Sequence, residues 1–252
     1  MRKGFQDHFA SIAADYAQSR PSYPPGLFEW LASQCGSHEL AWDCGTGSGQ
    51  VATRLAGHFR HVIATDASAG QIAQAVQHPR VEYRVALAEN SGLDDCCADL
   101  VVVAQALHWF DLDRFYAEVR RVLKPKGFIA AWSYGVLSID DEAIDALVQG
   151  FYRDTVGPYW PPERHHVETA YCELDFPFVP VPTPAFSMHA NWTLEKLLGY
   201  FRSWSATARF IEDKGFDPVS RLASSLQVLW GDPHQERAVD WPLALLLGRT
   251  NG

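Results

Sequence analysis

A doubly wound α/β domain on a mostly parallel sheet is the fold this sequence predicts, and three observations predict it. Short, almost wholly apolar runs alternate with helix-patterned segments between residues 40 and 132. The first run ends in a glycine-rich turn, Gly45–Gly49, where a doubly wound sheet binds its ligand. The chain has 252 residues, 47% of them hydrophobic and 20% charged, which is the composition and length of one large domain with a sizeable core.

The elements follow in chain order. Phe5, Phe9, Ile12, Ala13 and Tyr16 fall at helical spacing, so the chain opens on an amphipathic helix. Arg20-Pro21-Ser22-Tyr23-Pro24-Pro25 breaks it. A second helix runs through Leu27, Trp30 and Leu31 and stops near Gly36. Leu40–Cys44 is a buried strand, and Val51 to Leu55 starts the helix after the glycine turn. His61–Thr65 and Val81–Val85 are strands, with a helix from Ser68 to Val76 between them. Leu100–Ala104 is a fourth strand. Asp111 caps a helix whose apolar positions are Leu112, Phe115, Val119 and Val122. Lys124-Pro125-Lys126-Gly127 reads as a turn and Phe128–Trp132 as a fifth strand. Continuous apolar strands of this kind are covered on both faces.

The alternation stops after Ser133. Ile139–Tyr152 looks helical, residues 154 to 184 are rich in Pro and aromatics, and Ala185–Asn191 reads as a strand. Thr193–Ser205 reads as a helix capped by Thr193. Ala238–Leu247 reads as a closing strand, which Pro242 restricts to an edge or a bulge. The expected organisation is an N-terminal helical lid over 1–36, a ligand-binding α/β core over 37–135, and a helical, aromatic-rich cap with closing strands of the same domain over 136–252.

The formal net charge of -9 argues against a nucleic-acid partner, which needs clustered Lys and Arg. Five cysteines without paired C-x-x-C spacing read as reduced thiols of a cytoplasmic protein. The longest apolar runs, near Leu100–Leu107 and Leu243–Leu247, are too short to span a bilayer. Adjacent His165-His166, with no carboxylate at fixed spacing, do not make a metal site.

Four segments at strand ends carry chemistry. Asp43-Cys44-Gly45-Thr46-Gly47-Ser48-Gly49 combines a strand-end acid with glycines that let a ligand reach the backbone, ahead of a helix start that offers free N–H groups. That suits an amino-acid ammonium and carboxylate. A dinucleotide site would need Gly or Ala at position 50, and Gln50 stands there. Asp66, 23 residues after Asp43, suits a ribose diol equally in either case. Ala88-Glu89 follow the third strand, where an adenine amino group would lie. Gln105-Ala106-Leu107-His108-Trp109-Phe110-Asp111 follow the fourth, and His108 is a candidate general base with an ordinary pKa of about 6.5. Each has a bland alternative: a plain turn, a helix cap, a solvated loop, a structural histidine.

Taken together, these segments with Leu123-Lys124-Pro125-Lys126-Gly127 resemble the class I S-adenosylmethionine-dependent methyltransferases. More narrowly, they are similar to the type 11 group that includes trans-aconitate methyltransferase-like proteins. Phe9, Ala13, Tyr16, Arg20-Pro21 and Tyr23-Pro24 also look like that group's opening segment. The resemblance implies a seven-stranded, Rossmann-like methyltransferase fold. It implies S-adenosylmethionine as cofactor, with S-adenosylhomocysteine as product. It implies that Asp43, Gly45, Thr46 and Gly47 hold the methionine moiety and that Asp66 binds the ribose with Ala67 beside the adenine. Ala88 and Glu89 would flank the adenine amino group, Gln105 would lie near the sulfonium, and Tyr16 and Arg20 would close over the cofactor.

The acceptor is expected to be a small molecule methylated on oxygen or carboxylate. Its pocket is expected to be lined by His108, Trp109, Trp132, Tyr134 and cap residues, among them Trp160 and Trp204. Arg153, Arg164, Arg202 and Arg209 are candidates to pair with an acidic acceptor. A non-catalytic S-adenosylmethionine-binding protein and, behind it, an NAD(P)-dependent oxidoreductase are the alternatives. Oligomeric state is not legible.

Overall fold

The computed structural model describes residues 21–250, so the expected opening helix, with Tyr16 and Arg20, lies outside the described residues. Helix α1, Pro25–Gln34, starts with proline at its first position and buries Leu27, Phe28, Leu31 and Ala32. Strand β1, Leu40–Cys44, follows, then α2, Gln50–Leu55, β2, His61–Asp66, α3, Ala69–Gln74, and β3, Val81–Val85. Strand β4, Ala98–Ala104, leads to α4, Leu112–Val122, which the Asp111 side chain caps at the Arg114 amide. Strand β5, Leu123–Tyr134, closes this half.

These five strands are parallel, in the order β3-β2-β1-β4-β5. Both faces are covered, and the strand period sorts the residues between them. Leu100, Val102, Ala130 and Trp132 pack with α1 and the cap. Val101, Val103, Ile129 and Ala131 pack with Phe115, Val119 and Val122 of α4. The chain builds outward from β1 to β3 and then returns to the other side of β1. The crevice of a doubly wound sheet therefore opens at the carboxyl ends of β1 and β4.

The expected turn at Lys124–Gly127 is an excursion inside β5. Leu123 pairs with Ala98 and Phe128 with Leu100, so the register slips between them, and Lys126 takes φ +68°.

The second half adds β6, Ser138–Ile139, α5, Glu142–Gly150, with a widened turn to Thr155, and α6, Arg164–Glu168. Next come β7, Val179–Pro180, and β8, Phe186–Trp192. Helices α7, Leu194–Arg202, α8, Ser205–Lys214, and α9, Pro218–Trp230, precede β9, Arg237–Arg249. Strand β9 is antiparallel to all its partners, β5 and β6 on one side and β8 and β7 on the other. Seven strands of five residues or more thus form the sheet, extended by the two-residue β6 and β7.

Pro242 does not put this strand at an edge. It sits where pairing passes from Tyr134↔Leu243 to Ser138↔Asp240, an irregularity at which a missing N–H costs little on that side. Helices α5 and α7–α9 pack as the cap with a dense aromatic centre, in which Tyr200, Phe201 and Trp204 lie within 4.8–6.1 Å of one another. No helix among the described residues is long and apolar enough to cross a membrane. All five cysteines are free.

Candidate active site

The turn after β1 passes through Gly45, Gly47 and Gly49 at φ +73°, +54° and +82°. L-residues rarely adopt this conformation, so glycine is the fitting residue here. The Gly45 and Thr46 amides both donate to the Thr65 carbonyl, at 2.8 and 3.0 Å. The Gly47 amide donates to Asp66 Oδ2 and the Ser68 amide to Asp66 Oδ1, both at 2.9 Å. Asp66 is thereby oriented by two loops at once. A Cβ on Gly45 would stand 2.7 Å from Ala106 Cβ, so the β1 turn lies directly against the loop that follows β4.

Asp43, at the end of β1, is fully buried. Thr46 Oγ1 donates to its Oδ2 at 2.5 Å, but among the described residues Oδ1 is buried with no partner in hydrogen-bond geometry, the Ala52 amide acting on the carboxyl without completing a bond. Burial pushes this carboxyl up to about 7, against the lowering effect of Thr46 and the Ala52 amide, and Asp66 adds to the rise.

Gln105 follows β4 with φ +57°. For a residue with a side chain this is strained by roughly 1–2 kcal/mol. The Gln105 amide donates to the Trp132 carbonyl at 2.9 Å and its Nε2 to the Tyr134 carbonyl at 2.8 Å, which hold it there. A cavity opens beside it, between the ends of β4 and β5 and the cap. His108, Trp109, Tyr134 and Gly135 line its sheet side. Trp160, Arg164, Tyr200, Ser203 and Trp204 line its cap side.

His108 Nδ1 is 2.9 Å from the Tyr171 hydroxyl, and its ring lies against Trp109 with centroids 4.8 Å apart. Burial first, then Arg164 and His166 beside it, press its pKa down to about 3, and Glu163 opposes them. The ring is therefore neutral at physiological pH. Arg164 stacks on Trp160 at 4.8 Å and on Tyr152 at 5.5 Å, and its Nε donates to the Tyr152 hydroxyl at 2.9 Å.

A family model described as a methyltransferase domain matches residues 42–131. A methyltransferase-named protein of Dictyostelium discoideum is 36% identical over 225 residues, which cover 88% of this chain and 86% of that protein. A solved structure from Anaeromyxobacter dehalogenans, described as a type II methyltransferase, is 43% identical, covers 91% of this chain and 97% of that one, and superposes with a TM-score of 0.86. The chain belongs to the class I S-adenosylmethionine-dependent methyltransferases. A methyltransferase structure from Bacillus halodurans, 18% identical with a TM-score of 0.51 over 90% of this chain and 99% of that one, shares the fold.

The cofactor of this family carries an ammonium, and the buried Oδ1 of Asp43, with no hydrogen-bond partner among the described residues, fits such a group. A buried carboxylate oxygen without a donor is costly, and an ammonium is the partner that repairs it. Of the residues read from the sequence, Asp43, Gly45, Thr46, Gly47 and Asp66 converge on the β1–β2 edge. Ala67 lines a neighbouring groove with Val85, Ala86 and Leu87. Ala88 is buried, and Glu89 Oε1 accepts from the Asp111 amide at 2.9 Å, which ties the β3 loop to the start of α4.

One expected pocket residue is elsewhere. Trp132 does not line the cavity; it shares a face of β5 with Tyr134 but sits one pleat deeper, where it packs in the core at 5.5 Å from Tyr23 and 6.3 Å from Phe28. Of the four arginines, Arg153 pairs with Asp154, Arg202 with Asp217, and Arg209 bonds the Tyr159 carbonyl, which leaves Arg164 at the cavity. Tyr171, Tyr200 and Ser203 were not legible as site residues. They are brought in by packing between segments tens of residues apart.

Gly49 allows a direct test of the turn. A Cβ there would stand 2.2 Å from Tyr83 Oη, whose hydroxyl donates to the Val76 carbonyl at 2.6 Å. Gly49→Ala is expected to destabilise the protein by about 2–3 kcal/mol, from the left-handed backbone and the displaced Tyr83. Urea denaturation reads this as a lower midpoint, and an unchanged midpoint would contradict the packing.

Proposed function

We propose that this methyltransferase transfers the methyl group of S-adenosylmethionine to an oxygen of a small carboxylate acceptor. The observation that carries the reading is Arg164 at an aromatic cavity beside Gln105, with no carboxylate paired to it among the described residues. A guanidinium matches a carboxylate in two parallel hydrogen bonds.

Asp43, Gly45, Thr46 and Gly47 would hold the methionine moiety, Asp66 the ribose with Ala67 beside the adenine, and Ala88 with Glu89 the adenine edge. Gln105 would stand near the sulfonium through its backbone. Tyr16 and Arg20, as lid residues, belong to the same proposal. When bound, the cofactor supplies an electrophilic methyl group on a positively charged sulfur. The chain's own work is orientation and exclusion of water. Arg164 grips the acceptor, while the Trp109, Trp160 and Trp204 rings wall it off. Holding two reactants in line contributes on the order of 7–11 kcal/mol. A carboxylate acceptor is already ionised at neutral pH and needs no base.

Calorimetric titration with S-adenosylhomocysteine, with NADH as control, tests the cofactor half. Saturable binding is expected for the first alone. Asp66→Ala is expected to weaken it on the order of 100-fold, the loss of hydrogen bonds from both ribose hydroxyls to a charged group. Transfer of radiolabelled methyl to a panel of small carboxylic acids, matched against the corresponding amides, alcohols and amines, tests the acceptor half. Ester formation with the acids supports the reading. Transfer to alcohols or amines alone would sink it, and binding without any turnover would favour a non-catalytic cofactor-binding protein.

A further inference from the structure

We infer that Tyr171 fixes the ring tautomer of His108, so that this histidine meets the acceptor with an Nε2–H donor and does not act as a base. The inference rests on reading this cavity as the acceptor site.

The hydrogen bond between His108 Nδ1 and the Tyr171 hydroxyl, at 2.9 Å, has two possible directions. The environment of the hydroxyl oxygen decides between them. Tyr171 is buried, and among the described residues His108 Nδ1 is the one acceptor within hydrogen-bond distance of its hydroxyl. A buried hydroxyl proton left without an acceptor is costly, so the hydroxyl donates and Nδ1 accepts. A neutral imidazole carries one proton, so an accepting Nδ1 places it on Nε2. Nε2 has no protein partner among the described residues, and His108 lines the cavity.

The charges around the ring agree. Arg164 and His166 act on it to disfavour an imidazolium, and Glu163 acts the other way. The Tyr171 phenol is itself pushed well above its ordinary pKa by burial, so it keeps its proton to donate.

The chain also accepts strain to place Tyr171. Ala170 and Tyr171 take φ +55° and +60° in succession. Non-glycine residues are strained there, and such strain persists where the surroundings over-determine it. The Tyr171 amide donates to the His166 carbonyl at 2.8 Å, which locks the turn. Tyr171 is thus a positioning residue: it acts on the acceptor only through His108. Arg164 and His108 then offer donors from two sides, as an anionic oxygen requires.

The test is a long-range proton–nitrogen correlation spectrum of protein carrying nitrogen-15 histidine, with the His108 signals assigned by their loss in His108→Gln. It needs no acceptor and no methyl transfer, so it can fail independently of the proposed activity. The wild-type spectrum is expected to show Nε2 protonated, Nδ1 bare, and no titration between pH 5 and 9. Tyr171→Phe, which keeps the buried ring, is expected to give a mixture of tautomers. A protonated Nδ1 in the wild type, or an imidazolium appearing between pH 5 and 8, would overturn the inference even if Tyr171→Phe failed to fold. A folded Tyr171→Phe with the wild-type tautomer would overturn it too. With a carboxylate acceptor and saturating cofactor, kcat/KM is expected to be flat from pH 6 to 9. A single ionisation near 6–7 that disappears in His108→Gln would restore the base.

Discussion

Asp43→Asn is expected to make the cofactor-free protein more stable at pH 8 while removing its affinity for S-adenosylhomocysteine. The carboxyl sits fully buried at the end of β1, with one oxygen bonded to Thr46 and the other without a hydrogen-bonded donor among the described residues. Burial raises its pKa from 3.8 to about 7. A group whose folded pKa lies above its unfolded value binds protons more tightly when folded. Its contribution is complete below the unfolded value, near pH 4, and is lost as pH rises through about 7. The wild-type apo protein is therefore expected to lose stability between pH 4 and 7 on this account. Asparagine has the same shape, keeps an acceptor for Thr46 and carries no charge. The gain is expected to be on the order of 1–3 kcal/mol at pH 8 and to vanish near pH 4.

Cofactor binding has the opposite dependence. Only the ionised carboxylate pairs with an ammonium, so protons compete with the ligand. Affinity is expected to fall about tenfold per unit as pH drops below about 7. Denaturant titrations at pH 5 and 8, with calorimetry over the same range, check both halves. A variant equally stable at pH 8, or one that still bound the ligand at wild-type strength, would show that Asp43 carries neither cost nor contact.

The part of the fold that was legible in the sequence is the part where local pattern and long-range packing agree. Leu40–Cys44 and Ala98–Ala104 are buried on both faces, so they read as continuous apolar runs. The glycine turn was legible because its three left-handed positions admit few residues but glycine. Trp132 lies on the cap-facing side as Tyr134 does, but strand parity alone does not say how far along the strand a cavity reaches. Tyr171 had no signal: it meets His108 across 63 residues of chain, at a strained turn that nothing local announces. Pro242 announces an edge or a bulge, and β9 accommodates it at the irregularity between two partner strands. Helix α9 does carry a start signal, Asp217-Pro218, with Asp217 accepting from the Val219 amide. Yet its Ser-rich exposed face hides the apolar stripe of Val219, Leu222 and Leu226.

Arg164→Met is expected to raise KM for a carboxylate acceptor on the order of 100-fold and to leave S-adenosylhomocysteine affinity unchanged. Methionine keeps an unbranched stem against Trp160 and Tyr152, on which the guanidinium stacks, so the cavity wall is retained while the charge is lost. Loss of one partner from a partly buried, charge-assisted pair costs about 2–3 kcal/mol, which sets the size of the effect. Lysine is expected to recover little of it. A point charge on a flexible stem cannot reproduce the flat stack on Trp160 together with the Nε bond to Tyr152. The substitution reaches His108 as well, because Arg164 is one of the charges that hold its pKa down. Burial is the larger cause and remains, so in Arg164→Met the histidine pKa is expected to rise while the ring stays neutral at pH 7. Steady-state kinetics separates the outcomes. A rise in KM with kcat and cofactor affinity preserved places the guanidinium on the acceptor. A fall in kcat with KM unchanged would mean that Arg164 orders the cap and that the acceptor's charge is read by another group.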